Sequence, residues 1–159
     1  MTESAAAIEV TATGQVRVRT GKVELGQGLH SALAQIVADA LGIALADVQM
    51  LAVDTDWSPD QGVTSGSLSI QDGGQALRQA CAALAPADLA RLRRGAPTRL
   101  GDSPRRHDLP ALFAGQPHFI HDLALPGMLH GRVLHPPQPG AQVLAWRSEE
   151  RRVGKECCR

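Results

Sequence analysis

Gln27 lies between two glycines, in the run Gly21-Lys22-Val23-Glu24-Leu25-Gly26-Gln27-Gly28-Leu29-His30. Its amide offers two donor hydrogens and one acceptor oxygen. Gly26 and Gly28 lack a Cβ, so the chain there can turn sharply and a ligand can approach the backbone closely. A helix starting after Gly28 would aim its first N–H groups and the positive end of its dipole at the same turn. Such a turn suits a phosphate or the hydrogen-bonding edge of an anionic cofactor. A plain helix start with glycine at the turn fits the same residues, since short glycine motifs recur widely. A second hydroxyl-rich stretch, Thr64, Ser65, Ser67 and Ser69, also precedes a helical pattern. Two such helix starts converging on one ligand would be more specific than either alone.

Other chemistry is thinly represented. Asp54, Asp56 and Asp60 crowd one polar stretch, but lack the glycine and terminal glutamate of an EF-hand loop. Turn chemistry accounts for them. His118, His121, His130 and His135 lack carboxylate or thiolate partners at ligand spacing, so no metal site is expected. Cys81 reads as a small apolar core residue. No Ser-His-Asp arrangement can be built from these spacings, and no catalytic residue is assigned.

The elements that must position the two stretches follow from periodicity. Ile8 to Thr20 alternates in strand fashion, with Thr13-Gly14 as a turn between two runs. Leu29, Leu33, Ile36, Val37, Ala40 and Leu41 line one helix face, and Gly42 stops the helix. Val48 to Val53 is a nearly continuous apolar run, as expected of a strand covered on both faces. Ser69-Ile70-Gln71-Asp72 fits a capping box, after which Leu77, Ala80, Cys81 and Leu84 share a face up to Pro86. A short helix is expected at Asp88 to Arg93, within an arginine-, glycine- and proline-rich linker. Met128 to Leu134 is a strand candidate, stopped by Pro136-Pro137.

The expected fold class is α/β, or an α+β fragment. A β-α-β-like cofactor-binding segment covers 1–86, a linker 87–108, and the start of a second α+β unit 109–146. Residues 147–159 form a separate tail. With 159 residues and 43% hydrophobic side chains, one modest domain or two small ones can build a core. Formal net charge is zero, with 11 basic and 13 acidic residues before Arg147, so no electrostatic footprint for nucleic acid exists. No segment has the roughly 20 apolar residues of a membrane span. The N-terminus lacks the basic and apolar regions of a secretory signal, so a cytoplasmic location is expected, a periplasmic one staying open for full-length relatives.

Two resemblances follow from particular residues. Gly21 to Gly28, Ala34-Gln35-Ile36, Asp54-Thr55 and the pattern Thr64-x-Gly66-Ser67-x-Ser69 resemble the molybdopterin-binding subunits of the xanthine dehydrogenase/aldehyde oxidase superfamily. The branch is similar to the isoquinoline 1-oxidoreductase beta subunits and the corresponding nicotinate dehydrogenase subunits. Gly115 to Asp122 and Leu125 to Val133 look like the start of that family's a/b hammerhead domain. The resemblance implies a fragment of a molybdenum hydroxylase that acts on N-heterocycles or aldehydes, with water as the oxygen source. It implies a molybdenum–molybdopterin cofactor in the cytosine dinucleotide form. It also implies a partner subunit carrying 2Fe-2S clusters, and a cytochrome c as electron acceptor. By resemblance, Gly26, Gln27, Gly28, Thr64, Ser67 and Ser69 bind the cofactor.

The family's catalytic glutamate lies in a far C-terminal segment that this sequence does not contain, so the chain alone is expected to be inactive. The connector between Leu84 and Arg99 is shorter than usual for the family. Arg147 to Cys157 resembles a translated sequencing adapter, which would make the tail foreign and end the natural sequence near Trp146. The competing expectations are a small non-enzymatic phosphate-binding α/β module and a non-functional truncated product.

Overall fold

The structure, a computed structural model, describes residues 7–93, 95–136 and 138–142. The adapter-like tail therefore lies outside the described residues. The chain divides into two units, Met1–Leu123 and Ala124–Arg159.

The first unit is built on a three-stranded sheet in the order β1-β2-β3. β1 (Ala7–Val10) and β2 (Val16–Arg19) form an antiparallel hairpin with Val10 opposite Val16. The expected turn closes it, Gly14 N–H donating to the Thr11 carbonyl at 3.0 Å. Alternation along β2 buries Val16 and Val18 completely, while Arg17 is exposed. β3 (Val48–Met50) pairs parallel to β2, Val16 opposite Val48. A parallel pair needs a crossover, which α1 (Leu29–Leu41) supplies, so the β-α-β unit is formed as expected. Gly42 at φ 64° ends α1, and Ile43 N–H reaches back to the Ala38 carbonyl at 3.0 Å. This left-handed stop is one that glycine adopts at little cost.

α1 is buried more widely than one face. Leu29, Leu33, Ile36, Val37 and Leu41 are covered as expected, but so are Ala34 and Ala38, while Ala40 is exposed. The cause is a second neighbour: α2 (Gly74–Ala82) packs on α1 beside the sheet. A Cβ on Gly74 would lie 2.8 Å from Ile36 Cδ1, so the two helices approach through a glycine. Leu33, Val37, Ile43 and Leu77 are fully buried in this core. Each such side chain contributes about 1.5–3 kcal/mol relative to exposure.

Two strand expectations need correction. β3 stops at Met50, with Val48 and Met50 half-buried and Gln49 exposed. It is an edge strand with helix on one face only, so Val53 emerges into solvent. In the second unit no strand forms at Met128 to Leu134; Leu129 and Leu134 are 93% and 81% exposed. A strand needs a neighbour for its N–H and C=O groups, and no strand is present among that unit's described residues. A tight turn, Met128 N–H to the Leu125 carbonyl at 3.0 Å, is the local structure there.

Pro86 does not end α2, which already stops at Ala82. It opens α3 (Pro86–Arg91), where its missing N–H costs nothing. Leu92 is then buried, Arg93 N–H meets the Gly14 carbonyl at 3.4 Å, and Thr98 N–H meets the Ile43 carbonyl at 3.0 Å. The stretch expected as a linker thus lies against the sheet and α1. α4 (Leu109–Phe113) follows, and then a single helical turn at Ile120–Asp122.

Candidate functional site

Gly26 and Gly28 both adopt left-handed backbone, φ 101° and 80°, and Gly28 caps the N-terminus of α1. The turn is closed by the chain itself. Glu24 reaches over it: Oε1 accepts from the N–H groups of Gly26 and Gly28, each at 2.9 Å, and Oε2 from that of His30 at 3.0 Å. The dipole-favoured place at the start of α1, where an anion was expected, is filled by an internal carboxylate. Burial pushes the Glu24 carboxyl up, but the bonds from His30, Gly28 and Gly26 and the nearby His30 charge outweigh it, leaving the carboxyl below its ordinary 4.5.

Gln27 is exposed and braces the same loop. Leu25 N–H donates to its Oε1 at 2.5 Å, and its Nε2 donates to the Val23 carbonyl at 3.0 Å. One amide hydrogen is left over. Thr64 joins the other side of Val23, its Oγ1 accepting the Val23 N–H at 2.9 Å. One residue therefore holds both sequence-predicted side chains, its carbonyl on Gln27 and its N–H on Thr64. The Thr64 hydroxyl keeps its own hydrogen as a donor.

Ser67 and Ser69 stand differently. Ser67 is exposed and left-handed at φ 58°, an uncommon state for a residue with a Cβ. Ser69 opens a wide turn, Ser69–Gly73, that leads into α2, and no side chain caps it. The expected capping box is not formed: the cap position falls on Leu68, already helical at φ −91° and ψ −6°, and a helical residue does not offer the extended geometry a side-chain cap needs. Among the described residues no hydrogen bond joins Ser67 or Ser69 to the Gly26–Gly28 turn. The Ser69–Gly73 turn does come close, a Cβ on Gly73 lying 3.5 Å from Lys22 Cγ.

Four residues of this region escape sequence reasoning: Glu24, Lys22, Gln61 and Arg106. Glu24 carried a readable signal, an acidic side chain just before a helix start. Arg106 donates to the Gly26 carbonyl at 2.9 Å and grips Asp108 through Nε at 2.9 Å. A Cβ on Gly28 would stand 3.0 Å from its Cδ. The Arg106 hydrogen bonds hold the Asp108 carboxyl below its usual range, against a smaller opposing effect of burial. Nothing near residue 106 in sequence announces that contact. Gly21 is a close-approach site: a Cβ there would fall 2.1 Å from the Pro59 carbonyl oxygen. Cys81 is buried in the core, and burial pushes its thiol up to about 11. Among the described residues no cluster of three or more His, Cys, Asp or Glu side chains could hold a metal ion.

The chain belongs to the molybdopterin cofactor-binding domain family, whose family model matches residues 1–105. Among named relatives, it is 30% identical to a nicotinate dehydrogenase subunit of Pseudomonas putida over 186 residues, covering 87% of this chain and 16% of the relative. It is 38% identical to xanthine dehydrogenase 1 of Arabidopsis thaliana over 81 residues, and 32% identical to aldehyde oxidase 1 of Macaca fascicularis over 82 residues. About half of this chain and 6% of either relative are covered in those two cases. The chain thus spans a small part of the length of each. No helix among the described residues is long and apolar enough to cross a membrane.

Proposed function

We propose that this chain is the first cofactor-gripping part of a molybdenum hydroxylase subunit, an oxidoreductase that uses water as its oxygen source. Gly26, Gln27, Gly28, Thr64, Ser67 and Ser69 line the cofactor, and the bound molybdopterin supplies the two-electron chemistry. The observation that carries this reading is the meeting of Gln27 and Thr64 on the single residue Val23, which sets an amide hydrogen and a hydroxyl hydrogen on neighbouring loops. These are neutral donors suited to the polar edge and anionic tail of a pterin, and the membership in a molybdopterin-binding family supports their use there.

The cytosine dinucleotide form of the cofactor, a partner with 2Fe-2S clusters and a cytochrome c acceptor complete the proposal. The substrates are N-heterocycles or aldehydes, in keeping with the names of the relatives. The phosphate-binding alternative relies on the Gly26, Gly28 and His30 N–H groups, which donate to Glu24, and is the less supported reading; the proposed site relies on the Gln27 amide and the Thr64 hydroxyl instead.

The test is the molybdenum and pterin content of a full-length subunit carrying this segment. Gln27→Ala and Thr64→Val should each lower both, by about tenfold for a lost hydrogen bond to a charged group. Unchanged content in both variants would remove these residues from the cofactor site. The 159-residue chain by itself is expected to hold less than stoichiometric molybdenum and to show no hydroxylation.

A further inference from the structure

Lys22 is only 6% exposed, yet among the described residues it forms no salt bridge. Its ammonium is spent on main-chain carbonyls: Nζ donates to the Gln61 carbonyl at 2.6 Å and to the Val63 carbonyl at 3.1 Å. A buried charge is costly unless it is well hydrogen-bonded. Charge-assisted bonds are also the stronger kind. Here both are directed at the backbone just before Thr64.

The surrounding bonds run between the same two segments. The Thr20 hydroxyl and the Gly21 N–H both donate to Gln61 Oε1, each at 2.9 Å. Next along the chain comes the Val23 to Thr64 bond at 2.9 Å. Residues 20–23 are in this way stitched, one after another, to residues 61–64. The stem of Lys22 meanwhile packs near Gly73, on the turn that leads into α2.

We propose that Lys22 is a positioning residue for the cofactor site. By clamping the carbonyls of Gln61 and Val63 it fixes where Thr64 stands relative to the loop of Gln27, with Gln61 as its assistant. It acts through Val23 and Thr64 and touches no ligand itself. The link to the cofactor rests on the function proposed above; the clamping of the two segments does not.

Amide exchange measured by NMR on the 159-residue chain separates the two. Lys22→Met keeps the aliphatic stem and removes the charge. Exchange at the Gly21 and Val23 amides should quicken by about tenfold or more, the loss expected for charged hydrogen bonds. The amides of Leu33 and Val37 in α1 should stay protected. Unchanged exchange at Gly21 and Val23 would overturn the proposal.

If Lys22→Met unfolds the chain, Lys22→Arg and Lys22→Gln decide: exchange at Gly21 and Val23 should stay slow in Lys22→Arg, which keeps the charge, and quicken in Lys22→Gln; equal behaviour of the two overturns the proposal. Pterin content of the full-length Lys22→Met protein is the second readout. Faster exchange with reduced pterin supports the positioning role in full. Faster exchange with pterin unchanged, while Gln27→Ala lowers it, overturns the link between Lys22 and the cofactor. Pterin unchanged in the full-length Gln27→Ala protein as well indicts the function proposal instead of the clamp.

Discussion

The two helix starts of this unit look alike in sequence and are built in opposite ways. The start of α1 is sealed: Glu24 takes the N–H groups of Gly26, Gly28 and His30, and Arg106 takes the Gly26 carbonyl. The approach to α2 is not sealed by any side chain, and its serines stand exposed or half-buried on a strained turn. A glycine-flanked helix start is therefore not an anion site by its sequence alone. What matters is whether a nearby carboxylate folds into it first. Here the start of α1 is filled from within, while Ser67 stands exposed and Ser69 half-buried on the approach to α2.

Four changes would break or sharpen that contrast. The largest effect is expected at Leu77, fully buried where α2 meets α1. Leu77→Ala should cost about 2–5 kcal/mol of unfolding free energy in a urea titration. It should also loosen the Ser69–Gly73 turn before the Glu24 cap. If both starts lose amide protection together, they are one cooperative piece and the contrast fails.

Gly21→Ala comes next. The added methyl would meet the Pro59 carbonyl oxygen at 2.1 Å, and because that oxygen is backbone, one segment must shift. A loss of about 1–3 kcal/mol is expected, together with a displaced Thr64 resonance in the NMR spectrum. A neutral substitution would show that the two segments are not held this closely.

Glu24→Gln tests the seal itself, and should cost about 1 kcal/mol at neutral pH, as cap removals do. The sign with pH follows from the lowered folded value of Glu24. A carboxyl held below its unfolded value stabilises the fold above that value and loses its contribution as pH falls through the folded one. The difference between wild type and Glu24→Gln, taken from chemical melts across pH, should thus shrink from about pH 4.5 downward. A difference that instead grew toward acid would mean the carboxylate is not the cap.

The smallest change is Ser67→Gly. Relief of the left-handed backbone is worth about 1 kcal/mol and is partly offset by the greater freedom of glycine in the unfolded chain. A gain of a few tenths of a kcal/mol, or none, is expected in the same melts. A clear loss would give the Ser67 side chain a structural task that its exposure does not suggest.

How far the sequence could be followed depends on distance along the chain. The hairpin, α1, its glycine stop and the crossover were legible because each is written in local periodicity or in one turn residue. Val16 and Val18, or Leu33 and Val37, announce their burial through spacing. The cap by Glu24 was also local and could have been anticipated. Lys22 with Gln61, Thr64 with Val23, and Arg106 with Gly26 join residues from about 40 to 80 positions apart, and no periodicity encodes such meetings. The roles of Gly74 and Gly21 lie beyond local pattern for a related reason. Their smallness answers a neighbour in space, Ile36 and Pro59, rather than a local turn. The strand expected at Met128 to Leu134 failed differently: its apolar composition is real, but a strand is a property of a pair.

The bonds from Thr20 and Gly21 to Gln61 carry one more consequence. They close a loop of some 40 residues, and the entropy cost of bringing such distant ends together rises with the length between them. β2, α1 and β3 lie within or beside that span and hold one another by shorter-range contacts, so the closure should come late in folding and be among the first to open. Under mild denaturant the 61–64 segment would then lift away as a flap while the cluster of side chains around Leu33 stays shut.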